Sequence, residues 1–444
     1  MVLLNTDKLW LIFILAFAVT VVSCLRPGSA SSEVSPAPVF VSDNPESIYA
    51  ADPNDSWNRI FRALFTRTVK ARVSDAFPEG APFSSFRPHG VSRFSVRISK
   101  NTFSRAERGD RAIEPLYPTF FTRDGPLQVL YEPRFSDLTA ALRQAIDETK
   151  DRSSLERAVM QADVWAAYDI LYATGLGGTE AAIPERKNKL IGLLRQFIQK
   201  LALSSDEIKT LKSNYLRAVS ARRLPDLFSP ESGWLEIELL PQRMHDDTAS
   251  YRRAARVFVK PRTRPSNTGQ FVESLKYNQH HDQIEAVALV VQNLLIVRSG
   301  RVVPSPIFSD VQFRLFRQAD SKTGAISAEL QQFELSRRKL LTEPASGGLV
   351  EFSPASPAYL STAGNDYDFA TPDNEAEAPI LVPLRTRCAQ CHGSSLTNIM
   401  TYSIHYIPPV PTVRILNSSE QEHAFYVARR KEAREDFKSL FAVK

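Results

Sequence analysis

The chain has 444 residues, 43% of them hydrophobic, and only 3 cysteines. That length and apolar content are enough for two or three domains with real cores, which excludes a disordered chain and a disulfide-stapled miniprotein. The net charge of +6 is spread without a dense Lys/Arg block, which argues against nucleic-acid binding and for a solvated, mildly basic surface.

The N-terminus reads as a leader. Met1–Asp7 is short, Lys8 adds weak positive character, and Leu9–Val22 is an unbroken apolar run of 14 residues. Such a run is short for a membrane span and suited to a signal-peptide core. Val21-Val22-Ser23-Cys24 resembles a bacterial lipobox, which implies lipidation of Cys24. Cleavage near Ser23 or Ala30, or an uncleaved anchor, are the alternatives. Residues 25–52, rich in Ser, Pro and Ala, read as a flexible linker.

Residues 53–225 read as a mainly helical domain. Trp57, Ile60, Phe61, Leu64 and Phe65 recur at helical spacing within 56–70, a stripe that reads as core. Residues 71–125 are rich in Pro, Gly, Ser and Phe, with one short strand expected at 94–98 and His89 in a turn-like, surface context. Helices are expected over 135–148, 154–173 and 184–200, with Pro184 in a first turn. Ser204-Ser205-Asp206-Glu207 is a capping box that opens a short helix to about Leu211. Asp163 and Asp169 flank Trp165 and read as helix-surface carboxylates.

The period changes to two after about Pro225, and residues 226–345 read as a β-rich, mainly antiparallel domain. Strands are expected at 234–239, 253–260, 284–297, 302–307 and 311–316, with Arg298-Ser299-Gly300-Arg301 as a turn. Residues 330–341 fit strand or helix equally. The fold class is therefore α+β: a helical N-terminal domain, an antiparallel β-rich middle domain and a short C-terminal segment.

That segment, residues 346–444, opens irregularly with an acidic stretch containing Asp366, Asp368, Asp373, Glu375 and Glu377. Such a stretch is ordinarily a solvated loop, and otherwise a docking site for a basic partner. Then comes Arg387-Cys388-Ala389-Gln390-Cys391-His392-Gly393. In Cys-x-x-Cys-His, two thiols one helical turn apart can add to the two vinyl groups of one porphyrin, and the next histidine falls under the iron. A structural disulfide, a thiol redox pair and half of a zinc site are the competing readings. A zinc site wants a second Cys or His pair at matching spacing, and a redox pair wants a βαβ setting.

On these residues the segment resembles the c-type cytochromes. The resemblance implies one covalent haem c, held by Cys388 and Cys391, with His392 as axial ligand. Met400 is the first expectation for the sixth ligand, with His405 or His423 as alternatives; His245, His280 and His281 are more remote ones, and Met400 and the His280-His281 pair read equally as core and loop. An open sixth position would admit a small ligand. A final helix is expected over about 418–441, similar in order to the C-terminal helix of class I cytochromes c, although Pro383 and the short tail argue against a complete cytochrome domain.

With Cys24 in the leader and Cys388 and Cys391 at the haem, no thiol remains for a structural disulfide. Haem attachment outside the cytoplasm and an export leader predict each other. The expectation is a periplasmic or outer-membrane-attached electron-transfer protein with a separate redox partner, bound to membrane only through a lipid. A haem enzyme or oxidoreductase subunit, and a haem-free scaffold with a Cys388–Cys391 disulfide, are the alternatives.

Overall fold

The computed structural model describes residues 47–71, 107–112, 128–173, 182–238, 251–275, 283–316, 328–351, 359–361, 381–383 and 414–441. The chain divides into two units, Met1–Pro36 and Ala37–Lys444, and every described residue belongs to the second. Its architecture is α+β: a seven-stranded antiparallel sheet with most of the described helices on one face and a short one on the other.

Helix α1 (Ser56–Phe65) is followed by a separate strand pair, β1 (Thr66–Ala71) and β2 (Glu107–Ala112). The helix stops five residues short of the expected Lys70 end, where Thr66, Thr68 and Val69 favour extended backbone. The expected strand at 94–98 lies outside the described residues. Then come α2 (Arg134–Glu148), α3 (Ser154–Ala173), α4 (Ala182–Leu201), α5 (Ser205–Thr210) and α6 (Asn214–Ser220). Of these, α3 is the central element. Every residue from Ala158 to Leu171 is buried, so no face of it meets water along that stretch.

The capping box at α5 forms as expected. Glu207 N donates to Ser204 Oγ at 3.1 Å, and Ser204 N donates to Glu207 Oε2 at 2.7 Å. That backbone donor, with Arg157 added, holds the Glu207 carboxyl at about 2. The depressed value means that the stabilisation is complete above the ordinary 4.5 and fades as pH falls toward about 2. Glu207→Gln keeps a capping amide but loses the charge. It is expected to cost about 1 kcal/mol at pH 7. The gap between parent and variant urea midpoints should close as pH drops below 4.5. A gap that is flat with pH would mean that the charge contributes nothing.

The large sheet runs in the order β11-β3-β4-β5-β6-β7-β8. Its strands are β3 (Leu235–Glu238), β4 (Arg253–Pro261), β5 (Ile284–Ile296), β6 (Val302–Phe316), β7 (Ala328–Leu335), β8 (Leu349–Glu351) and β11 (Arg414–Ile415). The two strands expected at 302–307 and 311–316 are one. Pro304 and Pro306 fall where the β5–β6 register shifts, between Gln292↔Phe308 and Leu294↔Pro304, and a residue without an N–H is tolerated in such an irregularity. Asn214 clamps this place to α6: its Nδ2 donates to Phe308 O at 2.9 Å and its Oδ1 accepts from Phe308 N at 2.8 Å.

The ambiguous 330–341 stretch is both elements in turn. Strand β7 ends at Leu335, and Ser336 caps helix α8 (Arg337–Thr342) by accepting from Lys339 N at 3.1 Å. Gly347 and Gly348, both at positive φ, then turn the chain into β8. A Cβ on Gly347 would lie 2.1 Å from the Asn214 carbonyl oxygen. A second small pair, β9 (Tyr359–Ser361) with β10 (Leu381–Pro383), lies in the stretch expected to be irregular. Helix α7 (Thr268–Ser274) follows β4, and the expected C-terminal helix is two, α9 (Glu422–Glu432) and α10 (Glu435–Phe441).

The two sides of the sheet differ. On the inner face Ala254, Phe258, Ala288, Val290, Val311 and Phe313 share one buried cluster with α1–α4 and α9. The described helices and the inner face of the sheet thus form two layers that share that cluster. On the outer face a smaller cluster joins Ile237, Val257, Val259 and Val287 to Phe271 and Val272 of α7.

The linker expected over 25–52 is corrected at its end. Ile48 and Tyr49 are buried in the main cluster, and Tyr49 packs edge-on against Trp57 at 5.7 Å. Composition alone suggested a tether, but two apolar side chains next to α1 outweigh the Ser/Pro bias before them. The Tyr49 hydroxyl donates to Asp163, and burial with that carboxylate pushes the phenol well above its ordinary range. Tyr49→Phe removes this one bond while Arg337 still serves Asp163. The expected loss is about 1–2 kcal/mol, read as a lowered urea midpoint with unchanged slope.

Candidate haem-attachment site and its anchorage

Cys388, Cys391, His392, Met400 and His405 lie outside the described residues, as do Cys24, His89, His245, His280 and His281. Among the sequence-predicted ligands only His423 is described. It sits in the first turn of α9, buried, with its ring 6.0 Å from that of Tyr426. Among the described residues, no three His, Cys, Asp or Glu side chains are grouped to hold a metal ion. No described helix is long and apolar enough to cross a membrane.

What the structure does show is how the chain is fixed from Arg414 onward. Strand β11 begins at Arg414, 22 residues beyond His392, and pairs antiparallel with β3 as Arg414↔Glu238 and Ile415↔Ile237. Leu416 is buried and its N–H donates to Glu236 O at 2.9 Å. The next turn is held by Arg256. Its Nε and Nη2 bond the two Glu236 oxygens at 2.8 and 2.6 Å, Nη1 bonds Gln292 Oε1 at 3.1 Å, and Nη2 also donates to Ser418 O at 2.9 Å. The guanidinium stacks over Phe228 at 4.7 Å. Gln292 extends the network, donating to Ser305 O at 2.7 Å and to Gln421 Oε1 at 2.6 Å. Glu236, Arg256 and Gln292 are buried on the inner face, and Ser418 and Gln421 are half-buried at its margin.

A second set of buried charges fixes α9 and α10 to α3. Lys431 Nζ lies 2.7 Å from Asp169 Oδ2 and 3.0 Å from Asp436 Oδ2, over the Trp165 ring at 5.3 Å. Arg252 Nε is 2.8 Å from the same Asp169 oxygen, close enough for charge attraction but without hydrogen-bond alignment. Burial raises the Asp169 carboxyl while Lys431, then Arg252, oppose the rise; burial lowers Arg252. Tyr168 donates to Asp436 O at 3.2 Å and Gln199 donates to Leu440 O at 2.8 Å, adding two neutral ties.

The reading of Asp163 and Asp169 as surface carboxylates is therefore corrected. Both are 1% exposed. Asp163 takes a two-pronged bond from Arg337, Nε to Oδ2 at 2.7 Å and Nη2 to Oδ1 at 2.8 Å. The physical reason is that α3 is apolar all round, so its acids cannot reach water and each recruits a cation from another element. Sequence reasoning passed over those cations. Lys431 follows Ala424, Val427 and Ala428 at helical spacing, and Arg256 alternates with Ala254 and Phe258; both patterns place a charge on an apolar face.

Chemically, these networks bring opposite charges together in the core and suit holding the elements that carry them. No family model, curated protein or solved structure matches the chain.

Proposed function

We propose that this chain is an exported single-haem c-type cytochrome that transfers electrons to or from a separate protein. The observation that carries the reading is Cys388-Ala389-Gln390-Cys391-His392 in a chain whose remaining cysteine, Cys24, sits at the end of an apolar leader. Two thiols two residues apart followed at once by an imidazole are the donor set that a covalently attached haem needs.

In this reading Cys388 and Cys391 bind the porphyrin by thioether bonds and His392 takes one axial position. Met400 is the distal ligand to test first, with His405 and His423 as alternatives. When bound, the haem supplies reversible one-electron chemistry at a potential set by that sixth ligand and by burial. The chain's own part is to hold the group rigidly. The anchorage of residues 414–441 by Arg256 and Lys431 supports this, because it fixes the chain that follows the motif from Arg414 onward. Export by the leader, lipidation of Cys24 and residence in the periplasm or at the outer membrane belong to the same proposal. In the same reading, the acidic sequence between Asp366 and Glu377 is the stretch that a basic redox partner would dock on.

The test is expression in cells that assemble c-type cytochromes, followed by mass measurement of the denatured protein. The expected result is the mass of one haem added covalently, and a ferrous spectrum unchanged by carbon monoxide. A denatured mass equal to that of the bare polypeptide sinks the proposal. Carbon monoxide binding would keep the haem and move the reading from electron carrier to haem enzyme.

A further inference from the structure

Between Glu207 and Asp226 the chain carries five cations, Lys209, Lys212, Arg217, Arg222 and Arg223, and no acid. The stretch is firmly folded. In α6, Asn214, Tyr215 and Ala218 are buried, Tyr215 packs on Phe308 of β6 with ring centroids 5.5 Å apart, and its hydroxyl donates to Pro225 O at 2.7 Å. That packing decides what α6 turns outward. Leu216 lies opposite the buried three at 3.6 residues per turn and is 45% exposed, the most exposed large apolar side chain among the described residues. Lys212, one helical turn before it, and Arg222 and Arg223, where the helix closes, are exposed as well. Lys209 meets Asp206 at 3.2 Å and Arg217 donates to Pro344 O at 2.6 Å, but among the described residues no ion pair is formed by Lys212, Arg222 or Arg223. Glu343, beside Pro344, offsets at most one of these charges.

Local structure does not account for these residue types. Lys212 stands just before the Ser213 cap, at the positive end of the helix, where a carboxylate is favoured and a cation is not. Arg222, at φ 56, closes the helix in a left-handed turn: its N–H reaches Val219 O at 2.8 Å, and the Arg223 N–H reaches Ala218 O at 2.9 Å. Glycine is the default residue there, because a Cβ crowds the backbone in that conformation. Leu216 gains nothing for the fold by facing water. Of the four, only Arg223 suits its place at the helix end. Three positions where folding favours another residue thus join it in presenting cations about an apolar tip.

We propose that this face of α6 is a membrane contact for anionic phospholipid. Leu216 enters the boundary between headgroups and acyl chains, and Lys212, Arg222 and Arg223 meet headgroup phosphates. The unpaired cations select a negative partner, and the apolar tip among them selects a lipid surface over a purely acidic one. A nucleic-acid strand would want aromatic rings to stack on, and the exposed side chains of residues 209–223 include none. One acyl chain holds a protein to a bilayer only marginally, and stable attachment takes a second signal. This face supplies that signal if Cys24 carries lipid, a link that rests on the export reading above; the preference for anionic lipid does not rest on it.

The test floats the full chain with vesicles of phosphatidylcholine alone and of a two-to-one mixture with phosphatidylglycerol. The apolar run Leu9–Val22 contributes to both, so the difference between them reads the cationic face. The expected result is a preference for the mixed vesicles of at least about tenfold, fading as added salt screens the charges. Lys212→Gln with Arg222→Gln and Arg223→Gln should abolish it. Arg143→Gln with Lys150→Gln and Lys189→Gln, an equal loss of charge from exposed positions on other elements, should leave most of it. Leu216→Ser should weaken binding to the mixed vesicles by roughly three- to tenfold. Arg222→Gly separates charge from backbone: it should raise the urea midpoint, because glycine suits φ 56, and still lower the preference. Equal binding to both kinds of vesicle, or an equal loss in the control triple variant, overturns the proposal. Unchanged binding in Leu216→Ser overturns it as well, and displacement of the vesicles by poly-glutamate would then name an acidic polypeptide as the partner. A chain that lacks haem but shows the expected preference sinks the cytochrome reading alone. A haem-bearing chain without it sinks the membrane contact alone.

Discussion

Lys431→Met is expected to lower the stability of the folded unit by about 3–5 kcal/mol, because it leaves buried carboxylates without their nearest cation. Lys431 is fully buried between Asp169 and Asp436, with ion-pair distances of 2.7 and 3.0 Å. A methionine fills much the same volume, so the loss reports charge and not a cavity. Asp169 keeps Arg252 and Asp436 keeps Arg434, which is why the expected loss is not larger. The pH dependence carries a sign. Burial already raises the Asp169 carboxyl, and Lys431 is the first of the charges opposing that rise. Without it the folded carboxyl titrates higher still. A carboxyl raised on folding favours the fold at low pH and loses that contribution as pH climbs through the raised value. The deficit relative to the parent should therefore be larger at pH 8 than at pH 5, measured by urea unfolding. Adding Asp169→Asn should recover part of the loss, since the burdened carboxylate is then gone. An equal deficit at both pH values, with no recovery in the double variant, would show that Asp169 does not carry the effect.

Why this cluster escaped the sequence while the elements around it did not is a matter of range. Helix α3 was legible to the residue, Ser154 to Ala173, because its signals are local: a run of good helix formers with a glycine soon after. The capping box at Ser204–Glu207 was legible for the same reason, since both partners are three residues apart. The burial of Asp163 and Asp169 depends on Arg337, Lys431 and Arg252, which lie 83 to 262 residues away, and no window sees across that distance. The apolar circumference of α3 was nonetheless on the page, and it required both acids to find cations. Tyr49 shows the opposite error. A Ser/Pro-rich neighbourhood masked two core residues because composition averages over exactly the span in which burial changes. At the candidate site, the Cys-x-x-Cys-His pattern is a local five-residue signal that lies outside the described residues. The anchorage beyond it, through Arg256 and Lys431, is tertiary, and a sheet edge cannot be assigned from alternation alone.

Arg256→Met is expected to cost a similar 3–5 kcal/mol, and to do so in a particular place. The Glu236 side chain is 0% exposed and Arg256 is its ion-pair partner at 2.6 Å. Removing the guanidinium strands that carboxylate and also frees Gln292 Oε1 and Ser418 O. Arg256→Lys should recover less than half of the loss, because a single ammonium cannot span two Glu236 oxygens, an amide and a carbonyl while stacking on Phe228. Arg256→Met with Glu236→Gln should recover more, since replacing both charges of a buried pair is far milder than removing one. The regional signature is hydrogen exchange. Leu416 N–H bonds to Glu236 O and Phe425 N–H bonds to Gln421 O, so these amides should exchange faster in Arg256→Met while the Ala158–Leu171 core of α3 stays protected. If α3 exchanges faster to the same degree, Arg256 supports the whole unit without favouring any part of it. If the change is confined to residues 414–425, Arg256 is the clamp that holds the chain leaving the Cys-x-x-Cys-His stretch against the sheet.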